Sequence, residues 1–143
     1  MGFAMRINFV DVVVDHSLKN YYVNAKKMGY QFDMRLSYYR GQFLTVIDEF
    51  GVKVDDVKVP DECIKFCLNG KEFSPIEFDK CYTEYWQVLD PATIRVYMPG
   101  GLENGEHKIE VTMFFRSPYM PTGDNHQYMP MNGCGTKVLT IKD

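Results

Sequence analysis

A chain of 143 residues, 45% hydrophobic and 24% charged, is long enough to bury one core and has a globular rather than a disordered composition. Its formal net charge of −3 gives no electrostatic reason to bind nucleic acid or an anionic membrane, both of which call for clustered Lys and Arg. The aromatic share of 15% comes almost wholly from Tyr and Phe, residues that favour strands and interfaces.

From the N-terminus, Met5-Arg6-Ile7-Asn8-Phe9 alternates as a strand would and runs on through Val10 to Val14. Asn8, Asp11 and Asp15 interrupt the apolar run, so it makes neither a signal-peptide core nor a membrane span. Gly2 is followed by Arg6 where myristoylation wants Ser or Thr. The expectation is a cytoplasmic protein. Tyr30, Phe32, Met34 and Leu36 alternate with Gln31, Asp33 and Arg35, the pattern of a half-buried antiparallel strand. Phe43 to Ile47 is a continuous apolar run, expected as a strand buried on both faces. Two short arms about Asp55-Asp56 predict a hairpin, and Asn69-Gly70 predicts another between Cys63–Leu68 and Lys71–Phe73. Ser74-Pro75-Ile76-Glu77 reads as a capping box with proline at the first helical position. Tyr82 to Val88 is ambiguous between that helix and a strand, and Ile94 to Met98 is a strand.

Cys63 and Cys67 resemble a metal pair by spacing. Placed on one strand, however, they stand about 13 Å apart, too far for a disulfide or a shared metal. Buried reduced thiols are expected there, and spacing implies no partner for Cys81 or Cys134. In the segment after Gly101, the residues His107, Ile109, Val111 and Met113 alternate with Glu106, Lys108, Glu110 and Thr112. This L-x-x-G-x-H-x-I-x-V pattern resembles the penultimate strand of immunoglobulin-like sandwiches, and Thr136 to Lys142 closes the chain as a last strand. The fold expected is all-β: one antiparallel β-sandwich domain over residues 1–143, immunoglobulin-like or jelly-roll-like, with at most one or two short helical turns. A long Pro/Met/Tyr-rich loop is expected at 117–135.

No nucleophile elbow, P-loop, dinucleotide fingerprint or H-E-x-x-H occurs. His16 lies in a polar turn. His107 is expected in the core or at its rim with a backbone partner. Asp124 and His126 could ligate a metal, but two ligands do not make a site. Asp48-Glu49, Asp55-Asp56 and Asp61-Glu62 are adjacent pairs at turns, where solvated charge is the default. Arg35, Tyr38, Tyr39 and Arg40 form either an ordinary strand end or an interface, since Tyr and Arg are enriched at hot spots. No catalytic residue is assigned to the chain.

The stretch from Gly29 to Gly41, with Gly101-Leu102-x-x-Gly105-x-His107 and Tyr119-Met120-Pro121, resembles the small (β) subunit of bacterial C-glycoside deglycosidases over most of the chain. The resemblance implies a β-sandwich subunit assembled with a larger TIM-barrel α subunit. That partner would carry a divalent metal such as manganese and the acid/base residues, none of which transfers to this chain. The complex would be a carbon–carbon lyase that releases a flavonoid-type aglycone from the 3-oxo form of a C-glycoside. A carbonyl at C3 acidifies the C2 proton, a metal can stabilise the enediolate, and elimination expels the aglycone. This chain would then be an accessory subunit, with Tyr119, Met120, His126, Tyr128 and Met129 as partner-facing or substrate-facing residues. The alternative is a stand-alone carbohydrate-binding or interaction sandwich.

Overall fold

The computed structural model describes Arg6 and residues 11–38, 40–121 and 128–142, with backbone alone at 118–121, 128 and 129. Two antiparallel sheets pack face to face. The first contains β1 (Lys19–Val23), β2 (Lys26–Met34), β9 (Ala92–Tyr97), β6 (Ile64–Leu68) and β7 (Lys71–Phe73), in that order. The second is organised by one long strand, β10 (Gly105–Pro121). Along one edge it pairs with β4 (Ile47–Val54), which pairs in turn with β5 (Val57–Lys58). Its other edge is shared by β12 (Gly135–Ile141), against residues 105–111, and β11 (Tyr128–Asn132), against residues 114–121. A small ribbon of β3 (Gln42–Phe43) and β8 (Tyr85–Trp86) sits apart from both sheets.

The core follows the period of two read from the chain. Tyr30, Phe32 and Met34 from β2, Ala92, Ile94 and Val96 from β9, and Ile109, Val111, Met113 and Phe115 from β10 are all buried. Each large side chain of this kind contributes about 1.5–3 kcal/mol by leaving water. At one end Phe66 meets Phe50, Phe78 and Trp86 at ring separations of 5.7, 5.1 and 5.2 Å, all near perpendicular. Edge-to-face contact suits the aromatic quadrupole. It anchors both the ribbon and a single 3-10 turn, Pro75–Lys80, to the sandwich.

The hairpin turns expected at Asp55-Asp56 and Asn69-Gly70 form, with all four residues at positive φ, as two-residue hairpin loops require. Asn24-Ala25 makes a third such turn, joining β1 to β2, and its sequence carries no glycine to announce it.

Four expectations are corrected. Phe43 to Ile47 is not one buried strand: Leu44–Val46 is a 3-10 turn and Phe43 is exposed. A short apolar run cannot distinguish the two by periodicity, and here only the first turn residue, Leu44, is fully buried. Cys63 ends a separate 3-10 turn, Asp61–Cys63, instead of sharing β6 with Cys67. Ser74 does not cap through its hydroxyl, which accepts from Lys65 Nζ at 2.6 Å while its carbonyl accepts the Glu77 N–H at 2.9 Å. Finally, the described residues of the span 117–135 are largely strand, since β10 reaches Pro121 and β11 returns beside it from Tyr128. Pro130 is tolerated because β11 is an edge strand. The register is interrupted between Ser117 and Pro121.

Candidate functional site

The two unusual clusters of the sequence meet at one end of the sandwich. The chain leaving β2 stays inside the core past the strand: Leu36 and Tyr38 are as buried as Tyr30, and Ser37 between them is buried as well. Tyr38 packs edge-on against Phe115 at 5.6 Å, and its hydroxyl hydrogen-bonds the Ser117 hydroxyl, also fully buried, at the base of the β10–β11 hairpin. Tyr38 is therefore a core residue that ties the 35–42 segment to the hairpin, and of the two readings open for it, a strand end or an interface, its buried ring fits the strand end. Arg35 is half-buried and its N–H donates to the Val12 carbonyl at 2.7 Å, while Arg40 is exposed. Tyr39 lies outside the described residues.

Beyond Arg40 the chain passes Gly41, where a Cβ would stand 2.6 Å from the Trp86 carbonyl and the Tyr85 ring. Gln42 follows. Its amide is buried, 3% exposed, and neither its oxygen nor its nitrogen has a hydrogen-bond partner among the described residues. A buried amide in that state costs free energy unless another group completes it. Neither the alternation nor any motif had pointed to Gln42.

At the hairpin, Tyr119 and Met120 lie on β10, and Tyr128 and Met129 on β11. Their side chains, and His126 and Asp124 altogether, lie outside the described residues. The base of the return is held by Asn132, whose Oδ1 accepts from Arg6 Nη1 at 3.1 Å and from the Cys134 N–H at 2.9 Å. The Gly133 N–H donates to the Met113 carbonyl at 2.9 Å. These bonds fix where the hairpin leaves the sheet.

Two further polar groupings sit elsewhere. On the outer face of the first sheet, Arg95 lies 4.0 Å over the Tyr21 ring, with Nη1 3.2 Å from Glu72 and Nε 3.2 Å from Gln31. Glu72 also accepts from the Tyr97 hydroxyl at 2.7 Å, and burial together with this bond pushes the Tyr97 phenol up to about 12. The groove beside them, about 410 Å³, is lined by Cys67, Lys71, Glu72 and Arg95 among others. Arg95 is paired with Glu72 there and Lys71 with Glu84 at 3.0 Å, so among the described residues the groove offers no free cation to an anionic ligand.

On the second sheet, His107 meets Asp55 through Nδ1 and the Glu103 carbonyl through Nε2, both at 2.7 Å. Burial lowers its pKa, but the Asp55 bond and the Glu103 carbonyl outweigh this and hold it above the ordinary value. The backbone partner expected for His107 is present, with a carboxylate in addition. His16 is exposed, as its polar turn suggested.

All four cysteines are free and half-buried. Burial raises Cys67, partly opposed by Arg95, and raises Cys81, so both are thiols at neutral pH rather than poised nucleophiles. Among the described residues no three His, Cys, Asp or Glu side chains group so as to hold a metal ion. No helix among them is long and apolar enough to cross a membrane.

Comparison with known proteins gives a single direction. Residues 9–119 match the family model of the C-glycoside deglycosidase beta subunit. A C-glycoside deglycosidase beta subunit of Eubacterium cellulosolvens is 37% identical over 98 residues, 68% of this chain and 67% of that one. The 3'-dehydrocarminate deglycosidase beta subunit of a Microbacterium species is 34% identical over 98 residues, covering 68% and 73%. A C-glycoside deglycosidase beta subunit of Arthrobacter globiformis is 28% identical over 111 residues, covering 77% and 80%. The family match ends at Tyr119, so the return strand β11 lies beyond it.

Proposed function

The chain belongs to the C-glycoside deglycosidase beta subunit family, and from that membership we propose that it is the accessory subunit of a carbon–carbon lyase. Its partner is a larger TIM-barrel α subunit that holds a divalent metal and the acid/base residues. The observation that carries this reading is the extent of the family match, which takes in strands β1 to β9 and nearly all of β10.

The substrate proposed is the 3-oxo form of a C-glycosylated flavonoid or similar phenol. The Microbacterium relative is named for 3'-dehydrocarminate, a substrate oxidised at the 3' position, which supports the 3-oxo form. The carbonyl at C3 acidifies the neighbouring C2–H. Loss of that proton, followed by elimination, forms the C1–C2 double bond, breaks the sugar–aglycone carbon bond and leaves the electron pair on the phenol ring, whose carbon takes up a proton in its place. The described residues of this chain hold no group suited to a metal, and no step is assigned to them. Their part is to hold the partner, with the hairpin β10–β11 and its Tyr119, Met120, His126, Tyr128 and Met129 proposed to face the partner or its substrate.

The test is reconstitution. This chain and its companion subunit are run separately and together by size-exclusion chromatography, and release of aglycone from a 3-oxo C-glycoside is assayed for each fraction. Co-elution and turnover by the complex alone are expected. Separate elution, or full turnover by the companion without this chain, overturns the reading.

A further inference from the structure

The three most exposed large apolar side chains among the described residues are Leu89 (86%), Ile76 (79%) and Tyr82 (69%), all from the short stretch 75–90. The same stretch carries Glu77, Asp79, Glu84 and Asp90 against Lys80 alone, a formal balance equal to the −3 of the entire chain. The rest of the molecule is thus electrically balanced. Glu84 is buried and paired with Lys71 at 3.0 Å, which leaves Glu77, Asp79 and Asp90 as the exposed acids. Among the described residues this lobe is at once the most exposed apolar surface and an acidic one.

This lobe is not a loose excursion. Phe78 and Trp86 are buried against Phe66, and Trp86 Nε1 donates to the Asp90 carbonyl at 2.7 Å. The Leu44 N–H donates to the Glu84 carbonyl at 3.0 Å, and Thr45 Oγ1 to the Asp79 carbonyl at 3.2 Å. The lobe therefore includes the ribbon and turn at 42–46, where exposed Phe43 meets Tyr85 edge-on at 4.9 Å. An anchored frame presents its apolar groups with little ordering left to do on binding. Exposed apolar groups gathered within a polar rim are the mark of a protein interface. The buried Gln42 amide, lacking a partner among the described residues, belongs to the same ribbon and is a second sign that this region is completed by something else.

We propose that the lobe of residues 42–46 and 75–90 is a docking surface for a protein with an apolar centre ringed by Lys and Arg. Within the complex proposed above, on which this inference rests, that protein is the companion subunit. A second copy of this chain is the wrong occupant, because a two-fold contact through the lobe would set one acidic rim against another. An anionic membrane is repelled for the same reason.

The test titrates four proteins against the companion deglycosidase subunit of the same organism by calorimetry, at low and high salt. They are the wild type, Tyr82→Ser with Leu89→Ser, Glu77→Lys with Asp79→Lys, and a control pair elsewhere, Val57→Ser with Val138→Ser. All six side chains lie outside the buried core, and thermal melts check that each variant folds as the wild type does.

The apolar pair is expected to weaken binding at least about ten-fold at either salt. The charge-reversed pair is expected to weaken it at low salt, with the difference shrinking as salt screens the rim. The control is expected to stay within about two-fold of the wild type, as rim positions away from a hot spot do. Lobe variants that bind like the wild type, or a control that weakens as much, overturn the surface while leaving the heteromeric reading intact. A wild type that does not bind the companion at all overturns that reading and this surface with it. Concentration-dependent dimers of the wild type alone, abolished by the apolar pair, overturn the choice of partner.

Discussion

Tyr38→Phe removes a hydroxyl and keeps the ring, so it isolates the hydrogen bond that joins the 35–42 segment to the base of the hairpin. The edge-on contact with Phe115 at 5.6 Å survives the change. What is lost is a net hydrogen-bond contribution of about 0.5–1.5 kcal/mol, plus the penalty for depriving the buried Ser117 hydroxyl of this partner, so about 2 kcal/mol in all. Ser117→Ala deprives Tyr38 in the same way and is expected to cost about 1–2 kcal/mol. Because both single changes remove the same bond, the double variant should cost less than the sum by about 1 kcal/mol. Urea unfolding of the four proteins measures this directly, with unchanged m-values as the condition for comparing midpoints. In a chain of this size the Tyr38→Phe loss corresponds to a melting shift of roughly 4–8 °C. Single variants as stable as the wild type, with additive effects in the double, would refute the argument that this bond holds the two segments together.

Three further outcomes are expected. Gly29→Ala on β2 would place its Cβ 1.9 Å from the Val96 carbonyl oxygen, forcing β2 and β9 apart, whereas Gly51→Ala on β4 meets nothing within 4 Å; thermal melts should show a loss of about 3 kcal/mol or more for the first and a gain of about 0.5 kcal/mol for the second. His107 is held above its ordinary pKa and Asp55 below its own. The stabilisation from His107 is therefore full below about pH 6.5 and lost as pH rises through the higher folded value, while that from Asp55 is present above about pH 3.9 and lost as pH falls through the lower one. Asp55 is half exposed, which limits the effect to about 1 kcal/mol; His107→Gln should flatten the stability profile between about pH 6 and 8, and an unchanged slope in urea midpoints would contradict this. Gln42→Met replaces an amide without partners among the described residues by an apolar side chain of similar length, and should raise the unfolding free energy of the free chain in urea by about 1–2 kcal/mol; a destabilised variant would show that the amide is bonded.

Much of the framework was legible residue by residue. The alternation through Tyr30, Phe32, Met34 and Leu36, and that of Ile109, Val111 and Met113, identified the buried faces because successive strand side chains must point to opposite sides. Asn69-Gly70 and Asp55-Asp56 identified turns because few residues tolerate positive φ. Tyr38 could have been read as core from the same parity, since it continues the Tyr30 series by two; its neighbours Tyr39 and Arg40 drew it instead toward an interface.

The hairpin at 117–132 was hidden by its prolines. They forbid a central strand but not an edge one, and whether β11 is an edge depends on which strands flank β10. The ribbon of Gln42–Phe43 with Tyr85–Trp86, and the bond from Tyr38 to Ser117, likewise join positions far apart in the chain. Composition, the turns at Asp55-Asp56 and Asn69-Gly70, and the inward faces of β2 and β10 rest on geometry within a few residues, and the sequence by itself determined them. Which strand lies beside which, which apolar groups remain outside, and which polar groups are enclosed depend on how all the strands jointly cover one core, and the tertiary structure alone decided that.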